Sequence, residues 1–442
     1  MPLVPSPRKT RRAIGAACVL AVTALPMRPV SLAGQARTPV AVTTVAPAPV
    51  APQRDYWVYV GAESADKIYR VRFGSGGAVV EKTIGVGELA AEMEGPHGLA
   101  ISADGKYLHM TTGHGFPDGK YWRYALGPDT LVGPGLLLGN FPASIDVTPD
   151  GLYALSVNFN LHGDMIPSTV SVIYTPTHTE IARIVTCTMP HGSRVSPNGL
   201  HQYSTCMMDD QLVELDTKDF VVSRRFSLAK GAEGPVALDA STTMAAMDGM
   251  DHAAGHHPPS TAGTAGAALS PRAGPTIDPA QVGRVGMGMQ KHDMAPASCS
   301  PTWAQPSVNG AAIFVACNKA DEILEIDTAT WTLTRRLKTG RGVYNLAVTA
   351  DGRLLVATLK QGNAIEIFDL ATGTSLAQLP TSTRVAHGVT ISADSRYAFV
   401  SSEGQGAQPG KVDVIDLMAR AKVATVDVGP QASGIAFWKM SP

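Results

Sequence analysis

Several features that would point directly to a function class are scarce in this sequence. Of its 442 residues, only 6% are aromatic and 17% are charged, and the formal net charge at pH 7 is −1. A basic face for nucleic acid or an anionic membrane is therefore not expected, and few aromatic rings are present on which bases could stack. The G-x-S-x-G, H-E-x-x-H, Walker, dinucleotide-binding and C-x-x-C-H motifs are also missing. The sequence thus carries no common signature of a serine esterase, zinc protease, nucleotide-binding protein or covalent haem protein.

Long apolar runs are missing as well, except near the N-terminus. Basic residues 7–12 ("PRKTRR") precede an apolar stretch, 13–25, which is short for a membrane span, and small residues follow at 32–36. This order predicts a signal peptide over 1–36, with an uncleaved anchor or a lipoprotein modified at Cys18 as alternatives. Residues 37–53 are a Pro/Ala/Val linker that cannot pack a core. We therefore expect a periplasmic or secreted protein that touches a membrane only if the signal remains attached.

The sequence is rich in turn-forming residues, with 44 glycines and 32 prolines. Asp-Gly, Asn-Gly or Asp-Ser pairs begin at 104, 150, 198, 309, 351 and 394, with separations of 46, 48, 111, 42 and 43 residues. Each lies between apolar runs and is followed by two further strand-like segments, such as "EILEIDT" and "WTLTRRLKTG". A period in the forties with four strands predicts a propeller blade.

The two ends of the repeat region complete each other. The opening "YWVYVGAESADKIYRVRF" lacks a first strand, and the closing "QASGIAFWKM" (431–440) is a first strand with nothing after it. Pairing them would remove two free sheet edges. The sequence therefore predicts an all-β, seven-bladed propeller of four-stranded blades over 54–440, closed by the C-terminal strand.

These motifs resemble those of a known family. "DYWVYVGAESADKIYRV", the recurrent P-x-G-x-x-x-S-x-D/N-G and strands like "VxxIDLxTxxVxxxIxVG" are similar to the YVTN-repeat, YncE-like propellers of exported proteins. The resemblance covers about 55–440 apart from one insert. Related propeller families include lactonases, haem d1 carriers and the copper domain of nitrous oxide reductase, so the resemblance implies a fold and not one chemistry.

One position recurs seven residues before each turn, and it should begin the innermost strand at one mouth of the axial channel. Its occupants are His97, Ala143, His191, Thr302, Tyr344, His387 and, in the split blade, Ser433. The histidines are spaced two, three and two blades apart, so they could share one metal ion with an open fourth position. Alternatively, each imidazole forms only a hydrogen bond to backbone in the channel.

The loops between the second and third strands of each blade should reach the same mouth. They supply a second tier of candidates, since propellers carry function on loops. These are His114, His162, Met207, Met208, Asp209 and Glu403.

Four cysteines remain beyond the signal region, and their placement repeats. Cys206 and Cys317 each lie 15 residues after the ring position of their blade, whereas Cys187 and Cys299 lie four and three residues before it. Among three connectivities we predict Cys187–Cys206 and Cys299–Cys317, each within one blade, as suits an exported protein. Thiolate ligation of copper is the alternative.

The long interval between turns contains an insert at about 235–298 without strand or helix periodicity. Its ends, "MAAMDGMDHAAGHH" and "MGMQKHDM", are similar to the Met/His-rich segments of exported copper-resistance oxidases, and thioether sulfur favours Cu(I). The candidate ligands are Met244, Met247, Met250, His252, His256, His257, Met287, Met289, His292 and Met294. Another transition metal, or a neutral low-complexity loop, is the alternative.

Together these features predict an exported propeller that binds a transition metal, with copper preferred over other divalent metals. The Met/His loop would be the binder, and the histidine ring is a further candidate. Two alternatives stay open: a non-catalytic scaffold for an exported protein partner, and a lactonase-like, metal-dependent hydrolase. The sequence leaves open whether the protein is an enzyme.

Overall fold

The computed structural model describes residues 46–88, 91–115, 118–238 and 297–442. Within these ranges the chain forms seven antiparallel sheets and one short 3-10 helix, Glu63–Ala65. The innermost strands contact one another in cyclic order, which makes the sheets the blades of a closed ring. This confirms the predicted seven-bladed β-propeller. The proposed signal peptide, residues 37–45 of the linker and residues 239–296 of the insert lie outside the described residues.

The strands of each blade are given from the innermost outwards. Blade 1 is the exception, because its innermost strand comes from the C-terminus and is described last. Blade 1 contains β1 (Tyr56–Ala62), β2 (Lys67–Gly74) and β3 (Gly77–Gly85). Blade 2 contains β4 (Pro96–Ile101), β5 (Tyr107–Thr112), β6 (Lys120–Ala125) and two short outer strands that both pair with β6, β7 (Thr130–Leu131) and β8 (Leu136–Leu137). Blade 3 contains β9 (Pro142–Val147), β10 (Tyr153–Asn158), β11 (Pro167–Tyr174) and β12 (Thr179–Thr188).

The remaining blades repeat this pattern. Blade 4 contains β13 (Pro190–Val195), β14 (His201–Cys206), β15 (Gln211–Asp216), β16 (Val221–Ser227) and a fifth strand, β17 (Gly234–Val236). Blade 5 contains β18 (Pro301–Pro306), β19 (Ala312–Cys317), β20 (Glu322–Asp327) and β21 (Thr332–Lys338). Blade 6 contains β22 (Val343–Val348), β23 (Leu354–Leu359), β24 (Ala364–Asp369) and β25 (Thr374–Pro380). Blade 7 contains β26 (Ala386–Ile391), β27 (Tyr397–Ser402), β28 (Lys411–Asp416) and β29 (Ala421–Asp427), and β30 (Ala432–Met440) returns to blade 1.

The ring closes through β30, which is the innermost strand of blade 1. It pairs antiparallel with β1, with Tyr56 opposite Met440 and Val60 opposite Ile435. Beyond the strand, the Ser441 amide donates to the Asp55 carbonyl at 2.8 Å. The predicted joining of the C-terminal strand to the N-terminal blade is confirmed.

The Asp/Asn-Gly turns are built in one recurring way. In blade 2 the Ser102 hydroxyl donates to the Asp104 carboxylate at 2.7 Å, and the same carboxylate accepts the Lys106 amide at 3.0 Å. Gly105 follows with φ +67°, a conformation that glycine adopts without steric penalty. The side-chain bond explains why Ser or Thr stands two residues before the turn Asp or Asn in all six motifs.

The apolar core lies between neighbouring blades, because both faces of each sheet are covered by the next blade. Between blades 1 and 7, for example, Phe73, Phe399 and Val414 pack in one buried cluster. Burial of such side chains stabilises the fold by roughly 1.5–3 kcal/mol each. Among the described residues, no helix is long and apolar enough to cross a membrane.

Both predicted disulfides, Cys187–Cys206 and Cys299–Cys317, are formed. The second lies within blade 5, as expected. The first does not lie within one blade, because Cys187 belongs to β12, the outermost strand of blade 3, while Cys206 ends β14 of blade 4. It therefore cross-links two blades. The strand boundary could not be placed from the sequence, since β12 runs on to Thr188.

Candidate functional site

Seven equivalent side chains ring one mouth of the axial channel. Each is the second residue of its innermost strand, and they are His97, Ala143, His191, Thr302, Tyr344, His387 and Ser433. All seven are buried. The repeat position identified in the sequence therefore corresponds to one structural layer.

Glycine follows each ring histidine because the next blade approaches closely there. A Cβ atom on Gly98 would lie 2.7 Å from the Thr111 hydroxyl and 2.9 Å from the Ala143 carbonyl. On Gly388 it would lie 2.7 Å from the Ser433 carbonyl. In these blades the His-Gly pair thus recurs because a side chain in place of the glycine would collide with the neighbouring innermost strand.

One nitrogen of each of two ring histidines joins neighbouring blades. His97 Nδ1 donates to the Ala143 carbonyl at 2.6 Å, and His191 Nδ1 donates to the Thr302 carbonyl at 2.9 Å. A carbonyl only accepts, so Nδ1 carries the proton in both rings. The predicted backbone hydrogen bonds are confirmed for these two residues, and they leave Nε2 of each ring for contacts at the channel mouth.

The Nε2 atoms face the channel mouth around the Tyr344 hydroxyl. This hydroxyl donates to His191 Nε2 at 3.0 Å and lies 3.4 Å from His387 Nε2. The ring centroid of His97 lies 5.5 Å from that of His387 and 6.3 Å from that of His191. The Tyr344 hydroxyl therefore lies between His191 and His387, in the space that a metal ion shared by the three imidazoles would need.

The described residues do not form a ready-made metal site. Over the described ranges, no group of three or more His, Cys, Asp or Glu side chains has an arrangement that could hold a metal ion. The shared three-histidine metal site at His97, His191 and His387 remains a prediction.

A second layer of side chains lies directly beside the histidine ring. It consists of the first residue after the second strand of each blade: Glu63, Gly113, Phe159, Met207, Asn318, Lys360 and Glu403. Five of the seven line the same cavity as the ring, the exceptions being Gly113 and Asn318. The cavity has a volume of about 270 Å³ and is also lined by Phe141, Leu161 and Gln431.

Glu63 is the most deeply buried carboxylate of this cavity, at 4% exposure. Its Oε1 accepts a hydrogen bond from His114 Nε2 at 2.8 Å, and its Oε2 lies 3.9 Å from His97 Nε2. Burial alone would raise the pKa of Glu63, but His97, His114 and Lys360 outweigh burial and leave the pKa below its ordinary value. Glu63 is therefore an anion at neutral pH.

Lys360 and Glu403 form the other charged pair of the cavity. The Lys360 ammonium lies 3.0 Å from the Glu403 carboxylate and 4.3 Å from the centroid of the Tyr344 ring. Burial would lower the pKa of Lys360, but Tyr344 and Glu403 outweigh it and raise that pKa. Lys360 is therefore a cation. The neighbouring Tyr344 stays protonated, because burial raises the pKa of its phenol.

Two of the ring histidines are uncharged. Burial, with the neighbouring His97, lowers the pKa of His191 to about 3. Burial and the nearby Lys360 hold the pKa of His387 well below its usual range. Imidazoles of this kind stay neutral at physiological pH, and a neutral imidazole nitrogen can accept a hydrogen bond or bind a metal ion.

The second-tier candidates divide by position. Met207 and Glu403 line the cavity. His114 does not line it but contacts Glu63, and His162 Nε2 lies 3.3 Å from His114 Nδ1. Asp209 instead accepts the Thr188 amide at 2.7 Å. Met208 is not among the residues that line the cavity. The Met/His candidates of the insert, Met244, Met247, Met250, His252, His256, His257, Met287, Met289, His292 and Met294, lie outside the described residues.

The sequence analysis did not select Glu63, Lys360 or Tyr344 as site residues. Glu63 and Lys360 follow second strands, as Glu403 does, so applying the loop rule to all seven blades would have found them. Tyr344 was placed in the ring, but its hydroxyl reaches across the channel to His191, a contact that depends on the ring diameter.

Comparison with known proteins gives the fold and no family. No protein-family profile matches the chain. No curated protein matches it either. Among solved structures it is similar to a periplasmic gluconolactonase of Pseudomonas aeruginosa, with 15% identity, TM-score 0.59 and coverage of 87% of this chain and 99% of that one.

Two further solved structures match over equal lengths, 87% of this chain and 99% of theirs. One is a functionally unknown protein of Desulfotomaculum acetoxidans, with 14% identity and TM-score 0.59. The other is a Bacteroides uniformis protein with a proposed 6-phosphogluconolactonase activity, with 15% identity and TM-score 0.56. At these identities the likeness establishes the propeller fold alone.

Proposed function

We propose that the protein hydrolyses small lactones in the cavity at the channel mouth. The observation that carries this proposal is the convergence of the His97 imidazole, the ionised Glu63 carboxylate and the Lys360 ammonium group on one cavity of about 270 Å³. Such a combination supplies a general base, a group that stabilises the base when protonated, and a donor for a developing oxyanion. This chemistry would suit several kinds of ester. The structural likeness to a gluconolactonase supports lactones as the substrates.

In this mechanism His97 is the general base. Its Nδ1–H is held by the Ala143 carbonyl, so Nε2 takes a proton from water as the water oxygen attacks the lactone carbonyl. Glu63, 3.9 Å away, stabilises the imidazolium that forms. The carbonyl oxygen becomes an oxyanion next to the Lys360 ammonium. When the ring C–O bond breaks, the leaving oxygen takes the proton back from His97, which gives the open hydroxy acid.

The test is hydrolysis of a panel of lactones, followed by base uptake at constant pH. The decisive variant is His97→Asn, because the asparagine amide can keep the hydrogen bond to Ala143 while the proton-accepting Nε2 is lost. We expect kcat to fall by roughly 10²-fold or more with the folded structure retained. The matched control is His178→Asn on another part of blade 3, where the imidazole contacts the Pro134 carbonyl and the Tyr121 ring, away from the cavity.

The results separate the open alternatives. Activity that is lost with a chelator and restored by a divalent ion would show that a metal ion, and not His97, activates the attacking water. Turnover that is equal in wild type and His97→Asn would reject the mechanism. No turnover of any lactone would reject the function and favour a scaffold for an exported protein partner.

We also propose transition-metal binding, with copper preferred, as a second function. It is supported by the Met/His runs at 244–257 and 287–294 and by the neutral imidazoles of His191 and His387. The described ends of the insert are tied to blade 4. β17 pairs with β16, and the Asp210 carboxylate accepts the Ser300 amide at 2.7 Å.

Because both ends are held, residues 244–294 can be deleted without removing a described strand. We expect copper titration of the intact protein to show binding that this deletion abolishes, with little change in melting temperature. Binding that survives the deletion but is lost in His97→Asn would place the metal at the ring. No copper in either form would contradict the proposal.

We infer an exported location for either function. The disulfides Cys187–Cys206 and Cys299–Cys317 support it, because disulfides persist mainly in oxidising compartments. The basic and apolar N-terminal segment supports it as well. Cell fractionation with a C-terminal tag tests this inference, and a reduced protein found in the cytoplasm would contradict it.

A further inference from the structure

The charges of the cavity bear on which lactone it can accept. The side chains that could offer a positive charge to a substrate each lie beside a carboxylate. Lys360 lies 3.0 Å from Glu403, and His97 lies 3.9 Å from Glu63. The neutral His387 also has Glu403 within 3.9 Å. The Lys360 ammonium is thus already matched by a carboxylate, and each of these two imidazoles has a carboxylate close by.

Binding of a phosphate group usually needs the opposite arrangement. Phosphate is held by Arg or Lys side chains with unfilled donors, or by several backbone amides at a helix N-terminus. Among the described residues that line this cavity there is one lysine, already paired, and no arginine. An incoming phosphate dianion would instead lie close to Glu63 and Glu403, and like-charge repulsion would oppose its binding.

The rest of the lining is suited to an uncharged, hydroxylated ring. Phe141, Phe159 and Leu161 provide apolar contact, and Gln431 and Tyr344 provide polar atoms. Small-molecule sites combine apolar surface with a few polar groups in this way. Hydrolysis converts a neutral lactone to a hydroxy acid with a negative charge. Glu63 and Glu403 do not repel the neutral substrate, but they would repel this anionic product.

We propose that the cavity selects uncharged hydroxylated lactones and excludes phosphorylated ones. This proposal rests on the proposed lactonase function and adds its substrate class. It distinguishes this chain from a 6-phosphogluconolactonase, although both activities occur among the names of its structural neighbours.

The test compares glucono-δ-lactone with its 6-phosphate as substrates for the intact protein. We expect kcat/KM for the phosphorylated lactone to be at least about tenfold lower, with gluconate a weak product inhibitor. The informative variant is Glu403→Gln, which keeps the side-chain size but leaves Lys360 without its carboxylate. It should raise kcat/KM for the phosphorylated lactone several-fold and strengthen inhibition by gluconate.

A matched control is Glu233→Gln, which removes a surface carboxylate that pairs with Arg336 away from the cavity. It should leave the ratio of the two kcat/KM values unchanged. A ratio near one in wild type, or a preference for the phosphorylated lactone, would overturn the proposal while the lactonase function stands. No turnover of either substrate would overturn both.

Discussion

At the residue scale, the ring histidines serve the fold and the site with different atoms. Nδ1 of His97 and of His191 bonds to the next blade, and this bond fixes which nitrogen is left to face the cavity. A backbone contact and a chemical role are therefore not alternatives for these residues. A substitution such as His97→Asn, which keeps the hydrogen bond to the next blade but removes Nε2, separates the structural role from the chemical one.

Buried neutral histidines should make the fold sensitive to moderate acid. Burial lowers the pKa of His191 to about 3 and that of His109 to about 3. Below pH 6.5 the unfolded chain binds protons that the folded protein cannot, so stability falls as pH decreases towards 3. Each such group contributes about 1.4 kcal/mol per pH unit over most of this window.

The measurement is urea unfolding at steps between pH 6.5 and 5.0, where the carboxylates of the unfolded chain are largely ionised. We expect the free energy of unfolding to fall with decreasing pH, and less steeply in His109→Gln. His109 is suited to this test because it lies outside the cavity, against the Tyr121 hydroxyl at 2.7 Å. Equal slopes in wild type and variant would show that folding does not lower the pKa of His109.

At the element scale, the blade repeat delivers two layers of side chains to one mouth. The second residue of each innermost strand forms the ring, and the first residue after each second strand forms the layer beside it. Antiparallel pairing brings these two positions together in every blade. The His97–Glu63 and Tyr344–Lys360 contacts each join residues from both layers.

The disulfide between Cys187 and Cys206 should stabilise the junction of blades 3 and 4. Its partners are 19 residues apart, and closing a loop of this size contributes about 3 kcal/mol in the chain-entropy treatment. The double substitution Cys187→Ala and Cys206→Ala should lower the free energy of unfolding by roughly 2–4 kcal/mol. Urea unfolding measures this, with Cys299→Ala and Cys317→Ala as the matched pair within one blade. An unchanged stability would mean that the link constrains the unfolded chain little.

At the scale of the whole molecule, the ring depends on its last strand. β30 supplies the innermost strand of blade 1 and contacts the innermost strands of blades 2 and 7. Removing it would leave β1 with a free edge and expose the core between blades 1 and 7.

Deletion of 431–442 should therefore abolish cooperative unfolding, near-ultraviolet circular dichroism and protease resistance. Deletion of 441–442 alone removes only the Ser441 bonds to Asp55 and should lower the melting temperature by a few degrees at most. A cooperative transition in the longer deletion would show that six blades hold the fold without closure.

The blade count, the ring closure, the cysteine partners and the ring position followed from the sequence, because all four depend on local turn chemistry repeated at a fixed period. Asp104-Gly105 and its counterparts set the register, and the register assigns every residue to a layer. The pairing of Glu63 with His97, the reach of Tyr344 to His191 and the match of Lys360 with Glu403 were decided only by the tertiary structure. These contacts join residues of different blades, and their distances depend on how the blades pack in the closed ring, which no local pattern encodes.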